Sequence, residues 1–391
     1  MSLHPVVGHV QVRTGLARAA MRGKLPGSLL LHGPTGVGRQ RMALWLAQLL
    51  LCEVDNADEP CGACSGCRFV LALQHPDLHW FFPLPRPKSA GSPEKLAEAL
   101  EEARADALQA RRAMPLQASF RGEPVGLYLA QIQTLRRTAA ARPVMGERRI
   151  FIIGDADLLV PQEASPEAAN ALLKLLEEPP DDATIILTAP DPDALLPTVR
   201  SRVLPIRLAP LDETLVADFL IHAAHAQPAD ARFAAHLAGG TIGRALAFLP
   251  GDGEAGPLET LRLQARAWLA AATTSDPAAR LRIAHRTPPA GARGAFLDAL
   301  EQLAVWCRDL AASASGADTA IINTDAAEFL REASHSTPGA AAGLPEALAS
   351  IAEVHALTAN NINPQLAIAW LLKRIHQAIA ASAAHDVSHA R

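Results

Sequence analysis

Four of the five cysteines in the sequence lie within sixteen residues, which gives this segment the composition of a metal site. They are Cys52, Cys61, Cys64 and Cys67. Two Cys-x2-Cys steps share Cys64, and Gly62 and Gly66 let the short loop turn sharply around one ion. Zn²⁺ prefers four tetrahedral sulfur ligands at about 2.3 Å, so we predict a structural zinc with no position open to water. Free thiols and an iron–sulfur cluster are the alternatives, although the spacing differs from the usual ferredoxin runs.

A glycine-rich segment, residues 33–40, lies between an apolar strand and an apolar helix. Its candidate phosphate-binding residues are Gly33, Pro34, Gly36, Gly38 and Arg39. Backbone N–H groups of such a loop and the following helix N-terminus bind phosphate. The P-loop pattern then requires Lys and Ser/Thr, but this sequence has Arg39 and Gln40, which lack the compact charge and the Mg²⁺-binding hydroxyl. We therefore predict the geometry of a P-loop without its catalytic chemistry. Whether ATP binds stays open, and an ordinary turn is the alternative.

A second catalytic element of P-loop ATPases is an apolar strand that ends in acidic residues. The apolar run at 150–153 is followed by Gly154, Asp155, Ala156 and Asp157. One alignment places Gly154 at the metal-binding position and Asp155 at the glutamate position, and a shift by one places Asp155 and Ala156 there. Neither alignment supplies both carboxylates in order. We therefore expect no intrinsic ATPase activity.

Hydrophobic patterning places these motifs in an α/β fold. Strands are predicted at 29–31, 75–82, 150–153 and 184–188, and amphipathic or apolar helices at 41–51, 127–141 and 166–178. A strand, a glycine loop and a helix open a doubly wound domain. Residues 83–124 are predicted to be a surface insertion with a solvated helix at 94–113. From residue 212 onward the pattern is helical.

Composition excludes several classes of protein. The 391 residues allow two or three domains, and 49% apolar with 19% charged residues is typical of a globular protein. The net charge of -4 argues against a histone-like DNA binder, and 4% aromatic residues argue against a base-stacking platform. The sequence has no run of 18 apolar residues and no apolar N-terminal segment, so we expect no membrane span, no signal peptide and a cytoplasmic location.

The combined motifs resemble the clamp-loader branch of the AAA+ proteins, whose bacterial members are subunits of DNA polymerase III. The phosphate loop and the cysteines occur in the order found in that family. The stretch at 168–180, Ala-Ala-Asn-Ala-Leu-Leu-Lys-Leu-Leu-Glu-Glu-Pro-Pro, resembles its most specific motif. Ser201-Arg202-Val203 resembles its Ser-Arg-Cys motif, with Val in place of Cys, and residues 361–366 resemble its C-terminal signature. The resemblance covers nearly all of 1–380 except the segment 83–124.

The resemblance implies the organisation of the whole chain. It implies an α/β P-loop domain of the AAA+, RecA-like type at 1–208, with a zinc module at 52–67 and an insertion at 83–124. A small helical lid at 209–250 and an all-helical collar, an oligomerisation domain, at 255–385 would follow. The implied partners are the gamma/tau and delta clamp-loader subunits and, through the complex, the sliding clamp and primed DNA.

The departures from the family pattern favour its non-hydrolysing, delta-prime type of subunit. The sensor-1 position falls at 189–190, on Ala-Pro, and the sensor-2 arginine position falls on Gly243, with Arg244 one place later. The resemblance then implies a stator within the polymerase holoenzyme. In that role Arg202, with Ser201, would act in trans as an arginine finger on the ATP of a neighbouring subunit, because a guanidinium fork suits the γ-phosphate.

Three alternatives stay open on the sequence. Arg202 could pair only within its own domain. The chain could be an active gamma/tau-like ATPase in which Arg39 replaces lysine. It could also be a zinc-bearing AAA+ scaffold unrelated to replication.

Overall fold

The computed structural model describes residues 3–4, 6–54, 58–87, 92–116, 125–159, 167–251, 253–289, 291, 294–337, 339–358 and 362–386. The chain divides into two compact units, one of residues 1–118 and 125–246 and the other of residues 119–124 and 247–391. The three-domain division implied by the resemblance stays a prediction.

Seven short strands lie in the described part of the first unit. They are β1 (Ser28–His32), β2 (Leu78–Phe81), β3 (Leu84–Pro85), β4 (Val125–Gly126), β5 (Arg149–Ile153), β6 (Ala183–Ala189) and β7 (Leu204–Arg207). Five of them form one parallel sheet in the order β2-β5-β6-β1-β7, and β3 pairs with β4 in a separate antiparallel ribbon. The register aligns Leu30 of β1 with Leu187 of β6 and with Pro205 of β7.

The described residues also form sixteen α-helices. They are α1 (Val10–Met21), α2 (Arg39–Leu50), α3 (Ser65–Leu71), α4 (Pro93–Ala113), α5 (Leu129–Ala139), α6 (Glu167–Glu177), α7 (Pro197–Arg200), α8 (Glu213–Ala223), α9 (Pro228–Leu237), α10 (Ile242–Phe248), α11 (Pro257–Thr273), α12 (Pro277–Arg286), α13 (Ala295–Ala314), α14 (Ala327–Ser336), α15 (Ala340–Leu357) and α16 (Pro364–Asp386). None of them combines the length and the apolar composition that a membrane span requires.

Both faces of the parallel sheet are buried, which explains the continuous apolar strands in the sequence. In β5, Ile150 and Ile152 pack into one core cluster, and Phe151 and Ile153 pack into the cluster on the opposite face. This alternation follows from the two-residue repeat of a strand. The predicted fold class is confirmed as an α/β domain with a parallel sheet, followed by a helical C-terminal region.

The edge strand β7 is an element that the sequence pattern did not predict. It pairs with β1 as a parallel strand, yet its residues are exposed or half-buried. Such a strand carries no continuous apolar run, and Pro205 within it is acceptable because one side of an edge strand needs no ladder hydrogen bonds.

The expectation of a solvated helix at 94–113 is wrong for one face of α4. Leu100 is fully buried, and Leu96, Ala103 and Ala107 pack around it against the core. The spacing of these residues forms one stripe along a helix, which the many charged residues between them obscured. Residues 88–91 and 117–124 of the predicted insertion lie outside the described residues.

The second unit is helical, as the sequence predicted. Gly343 brings α15 close to α16, because a Cβ atom there would lie 2.5 Å from the carbonyl oxygen of Ala378. The side chain of Asn363 caps α16 by accepting from the N–H of Gln365 at 2.9 Å. The side-chain amide of Gln365 donates to the carbonyl of Thr287, just after α12, at 2.8 Å. The described part of the signature at 361–366 therefore connects two helices, and Asn361 lies outside the described residues.

Candidate nucleotide and metal sites

The phosphate loop connects β1 to α2, as the sequence predicted, and two of its glycines are required by close backbone contacts. A Cβ atom on Gly33 would lie 2.3 Å from the carbonyl oxygen of Leu208. Gly36 has φ +85, and a Cβ atom there would lie 2.8 Å from the backbone nitrogen of Arg244. Gly38 is the N-cap of α2 with φ 104. These positive φ angles are accessible to glycine at little cost.

Arg39, which stands where a P-loop has lysine, turns back onto the protein itself. One guanidinium nitrogen donates to the carbonyl of Gly33, and the other donates to the Asp155 carboxylate at 3.1 Å. Both side chains of this ion pair are largely buried, with 8% and 12% exposed. Asp155 therefore already neutralises the positive charge of Arg39, which could otherwise contact a phosphate.

Gln40, which stands where a P-loop has Ser or Thr, reaches the same carboxylate. Its amide nitrogen donates to the second oxygen of Asp155 at 3.3 Å. Asp155 follows β5 with φ 48, and its N–H donates to the Thr188 hydroxyl at 2.9 Å. The acidic residue after the strand thus binds the two substituted loop residues. The sequence pattern does not show that Arg39, Gln40 and Asp155 contact one another.

Arg111 of α4, within the predicted insertion, also interacts with the charge of Asp155. The Arg111 guanidinium lies 3.8 Å above the ring of Phe82, in a cation–π contact. Burial lowers the pKa of Arg111, and the negative charge of Asp155 opposes that shift. No local sequence pattern predicts that Arg111 interacts with Asp155, because the two residues belong to elements far apart in the chain.

The segment that follows β7 closes onto the phosphate loop. The N–H of Gly243 donates to the carbonyl of Gly36 at 2.9 Å. A Cβ atom on Gly243 would lie 2.8 Å from the Cα atom of Gly36. The imidazole of His9 also contacts the phosphate loop, with its Nε2 atom 3.0 Å from the carbonyl oxygen of Val37. Gly243, at the sensor-2 arginine position of the family pattern, therefore makes a close backbone contact that requires a residue without a side chain.

The four clustered cysteines come together as the sequence predicted. Their sulfur atoms all lie within 4.8 Å of one another, and the Cys61 and Cys67 sulfurs are 3.8 Å apart. A tetrahedral ion with bonds of about 2.3 Å would hold its sulfur ligands about 3.8 Å apart. The donor set and its spacing therefore fit a metal ion.

Backbone N–H groups surround these sulfurs. The N–H of Cys64 donates to the Cys61 sulfur at 3.4 Å, and the N–H of Cys67 donates to the Cys64 sulfur at 3.3 Å. Backbone N–H groups of Cys64 and Ala63 lower the pKa of Cys61 to about 6. Burial raises the pKa of Cys67. Since a metal binds thiolates rather than thiols, the backbone favours the ligating form of Cys61.

The cysteine loop is anchored to the helices beside it. A Cβ atom on Gly66 would lie 2.2 Å from the carbonyl oxygen of Leu51, so α3 can begin here only with glycine at this position. The Trp45 indole of α2 donates to Glu59 at 2.7 Å, and Arg13 of α1 pairs with the same carboxylate at 2.9 Å. The loop thus joins three helices at the end of α2.

Arg202 lies on the surface of the first unit, just after α7. It pairs with Glu177 at 2.6 Å and donates to the Thr198 carbonyl at 2.7 Å and to the Ser201 hydroxyl at 3.1 Å. Its side chain is 32% exposed and that of Glu177 is 47% exposed. The last turn of the motif at 168–180 therefore holds the guanidinium within its own unit.

Comparisons with known proteins bear on these features. A family model described as DNA polymerase III, delta subunit, matches residues 8–212. The delta′ subunit of DNA polymerase III from Bacillus subtilis strain 168 is 28% identical over 198 residues, which is 51% of this chain and 46% of that protein. The delta′ subunit from Pseudomonas aeruginosa is 30% identical over 173 residues, 44% of this chain and 40% of that protein. The tau subunit from Escherichia coli K12 is 27% identical over 217 residues, 56% of this chain and 27% of that protein.

The matched region contains the whole parallel sheet, the phosphate loop, the cysteine cluster and Arg202. The chain spans less than half the length of each of these relatives. Because the family model covers more than half of the chain, the chain belongs to the DNA polymerase III delta-subunit family.

Proposed function

We propose that this chain is a non-hydrolysing stator of the DNA polymerase III clamp loader and helps to load the sliding clamp onto primed DNA. The observation that carries the proposal is the buried Arg39–Asp155 pair. It joins the lysine position of the phosphate loop to the acidic residue after β5. The same two positions bind Mg²⁺ and phosphate in a working P-loop ATPase.

The absence of turnover is tested on the isolated chain. We expect no ATPase activity above background, because the lysine, the hydroxyl and the ordered pair of carboxylates are all replaced. Arg39→Lys alone should not restore activity, since Gln40 and Gly154 still lack a Mg²⁺ ligand. Steady-state hydrolysis that survives further purification would instead support the gamma/tau-like alternative.

Arg202 is proposed as the arginine finger that serves a neighbouring ATPase subunit. Its pair with Glu177 is partly exposed, and exposed ion pairs contribute about 0–1 kcal/mol. The guanidinium can therefore leave this pair at small cost when a γ-phosphate is presented. The position on the surface and the low cost of release support a role in trans.

The test uses the reconstituted clamp-loader complex with Arg202→Ala. An arginine finger is worth about 10³- to 10⁵-fold in rate at its own site. Total DNA- and clamp-stimulated hydrolysis should fall only in part, because other sites keep their own fingers, and clamp loading should fall further. Arg202→Lys should rescue little, because a point charge lacks the planar fork.

A matched control is Arg200→Ala, which removes a nearby exposed arginine that pairs with Asp193. Hydrolysis and loading should stay at the wild-type rate with this variant. Wild-type rates with Arg202→Ala, in a complex of unchanged composition, would leave Arg202 as a local structural residue.

The remaining assignments follow from the same proposal. The gamma/tau and delta subunits are the proposed direct partners, and the sliding clamp and primed DNA are reached through the complex. The metal of the cysteine site is proposed to be zinc, because four thiolates in tetrahedral spacing favour it. The proposed work at DNA implies a cytoplasmic location.

A further inference from the structure

The guanidinium of Arg202 has more contacts than its ion pair alone. Its Nε atom donates to Oε1 of Glu177 at 3.0 Å, and its Nη2 atom lies 2.6 Å from the same oxygen. Its Nη1 atom donates to the carbonyl of Thr198 at 2.7 Å and to the hydroxyl of Ser201 at 3.1 Å. All three nitrogens of this side chain therefore already have partners in the first unit.

These contacts decide how an oxyanion could reach Arg202. A guanidinium binds a carboxylate or a phosphate through a pair of parallel N–H groups. The two pairs that its planar fork offers are Nε with Nη2 and Nη1 with Nη2. Both pairs contain Nη2, the nitrogen that contacts Glu177. A phosphate that uses either pair must therefore displace the Glu177 carboxylate, whereas the contacts with Thr198 and Ser201 leave the Nε–Nη2 pair unaffected.

The position of Glu177 in its helix is unfavourable for a negative charge. Glu177 is the last residue of α6. The C-terminus of a helix carries partial negative charge, which favours cations and disfavours carboxylates. The guanidinium of Arg202 offsets this repulsion, and the helix end in turn attracts the guanidinium. The end of α6 is therefore an electrostatically favourable position for Arg202.

The contact between Arg202 and Glu177 is also reversible. The two side chains are 32% and 47% exposed, respectively, so solvent and a ligand can reach both charges. Exposed ion pairs are weak, because solvent screens them and because the ordering of two long side chains costs entropy. Glu177 thus holds Arg202 in one orientation without binding it permanently.

We propose that Glu177 is a positioning residue that competes with the γ-phosphate of a neighbouring subunit's nucleotide for Arg202. Its carboxylate holds the guanidinium at the end of α6 until that phosphate replaces it. The exchange needs no new kind of contact, because a carboxylate and a phosphate bind the same pair of N–H groups. The inference rests on the proposed role of Arg202 in trans and adds the residue that sets the ATP concentration at which Arg202 engages.

The clamp-loader complex reconstituted with Glu177→Gln tests this competition. Glutamine keeps the size of the side chain and removes its charge. We expect kcat/KM for ATP, measured in DNA- and clamp-stimulated hydrolysis, to rise about two- to fivefold, which is the range that the loss of an exposed ion pair allows. The maximal rate should not fall, because Glu177 does not itself contact the nucleotide.

A double-mutant cycle separates competition from a merely structural role. In the Arg202→Ala background, Glu177→Gln should change nothing, because no guanidinium remains to be released. The matched control is Asp181→Asn, which removes the charge of another exposed carboxylate just beyond α6. Its kcat/KM should equal that of the wild type.

Three outcomes would overturn the inference. They are a wild-type kcat/KM with Glu177→Gln, an equal rise with Asp181→Asn, and an effect of Glu177→Gln that persists without Arg202. A fall in the maximal rate with Glu177→Gln would also overturn it, because Glu177 would then orient Arg202 for the reaction rather than compete for it. Wild-type rates with Arg202→Ala would instead contradict the proposed role in trans, so the two failures can be told apart.

Discussion

The guanidinium of Arg39 neutralises the largely buried carboxylate of Asp155. Removal of one partner from a buried ion pair costs about 3–5 kcal/mol. A substitution of Arg39 or Asp155 alone should therefore destabilise the first unit. Gln40 reinforces the pair through the second carboxylate oxygen. Arg39, Gln40 and Asp155 thus join the glycine-rich loop to the end of β5.

The cysteine ligands give a prediction at the same scale. The purified chain should contain about one zinc per molecule, and Cys61→Ala should abolish it, because three thiolates and water bind zinc less tightly than four thiolates. Elemental analysis of protein prepared without chelator measures both quantities.

The control is Cys307→Ala, which changes the buried cysteine of α13. This variant should keep its zinc. Wild-type protein without zinc, or equal loss of zinc from the two variants, would contradict the assignment.

Two loops of the first unit each depend on one buried residue. The cysteine loop depends on Gly66, which lets α3 approach the end of α2, and the loop at 141–148 depends on Asp77. Burial opposes the ionisation of Asp77, but the N–H groups of Val144, Met145 and Gly146 outweigh it and hold its pKa below the usual 3.8. The ionised form is therefore the one that stabilises the fold.

Replacement of Asp77 by Asn should reveal this contribution. A group with a depressed pKa stabilises the fold above its unfolded pKa, and the contribution disappears as the pH falls through the folded pKa. Asp77→Asn should lower the free energy of unfolding by about 3 kcal/mol at neutral pH. The difference from the wild type should shrink below about pH 4. Urea unfolding at a series of pH values measures this difference.

The control for this prediction is Asp276→Asn. Asp276 caps α12 through the N–H of Ala278 at 2.8 Å, and asparagine is an equally good N-cap. Little stability should be lost at any pH. A constant difference between Asp77→Asn and the wild type across the pH range would mean that shape, and not charge, holds the loop.

At the scale of the whole molecule, each unit contains its own stabilising interactions. The first has two apolar clusters against the sheet. The second has a buried polar network around Arg262, which pairs with Glu259 at 2.7 Å and with Asp325 at 2.8 Å. The Trp306 indole donates to the Arg262 carbonyl at 2.9 Å. A substitution that disrupts the apolar clusters of the first unit or the polar network of the second should therefore destabilise only the unit that contains it.

Hydrogen exchange tests this independence. Leu100→Ala removes a fully buried side chain from the first unit and should cost about 2–5 kcal/mol. Exchange should accelerate in the core of residues 1–246 and stay unchanged in 247–391. Arg262→Met should give the reverse pattern, because it leaves two carboxylates without their partner. Equal acceleration in both units after either substitution would mean that they unfold together.

The sequence by itself determined those features whose signal is local. The phosphate loop between β1 and α2, the cysteine cluster and the buried strands β5 and β6 all follow from residue types at short spacing. A strand that is buried on both faces must be apolar throughout, and four closely spaced thiols have few other uses. The fold class and a cysteine cluster that could hold a metal ion could therefore be predicted from the sequence.

Only the tertiary structure determined which residues far apart in the sequence form ion pairs or hydrogen bonds with one another. Arg39 and Asp155 are separated by 116 positions, and Asp77 and Val144 by 67. No local pattern specifies such pairs. The burial of Leu100 and the strand β7 also depend on neighbours supplied by other parts of the sheet. Packing brings these groups within hydrogen-bond distance and excludes water from them. That proximity pairs Arg39 of the glycine-rich loop with Asp155 and fixes the backbone at residues 144–146 through Asp77.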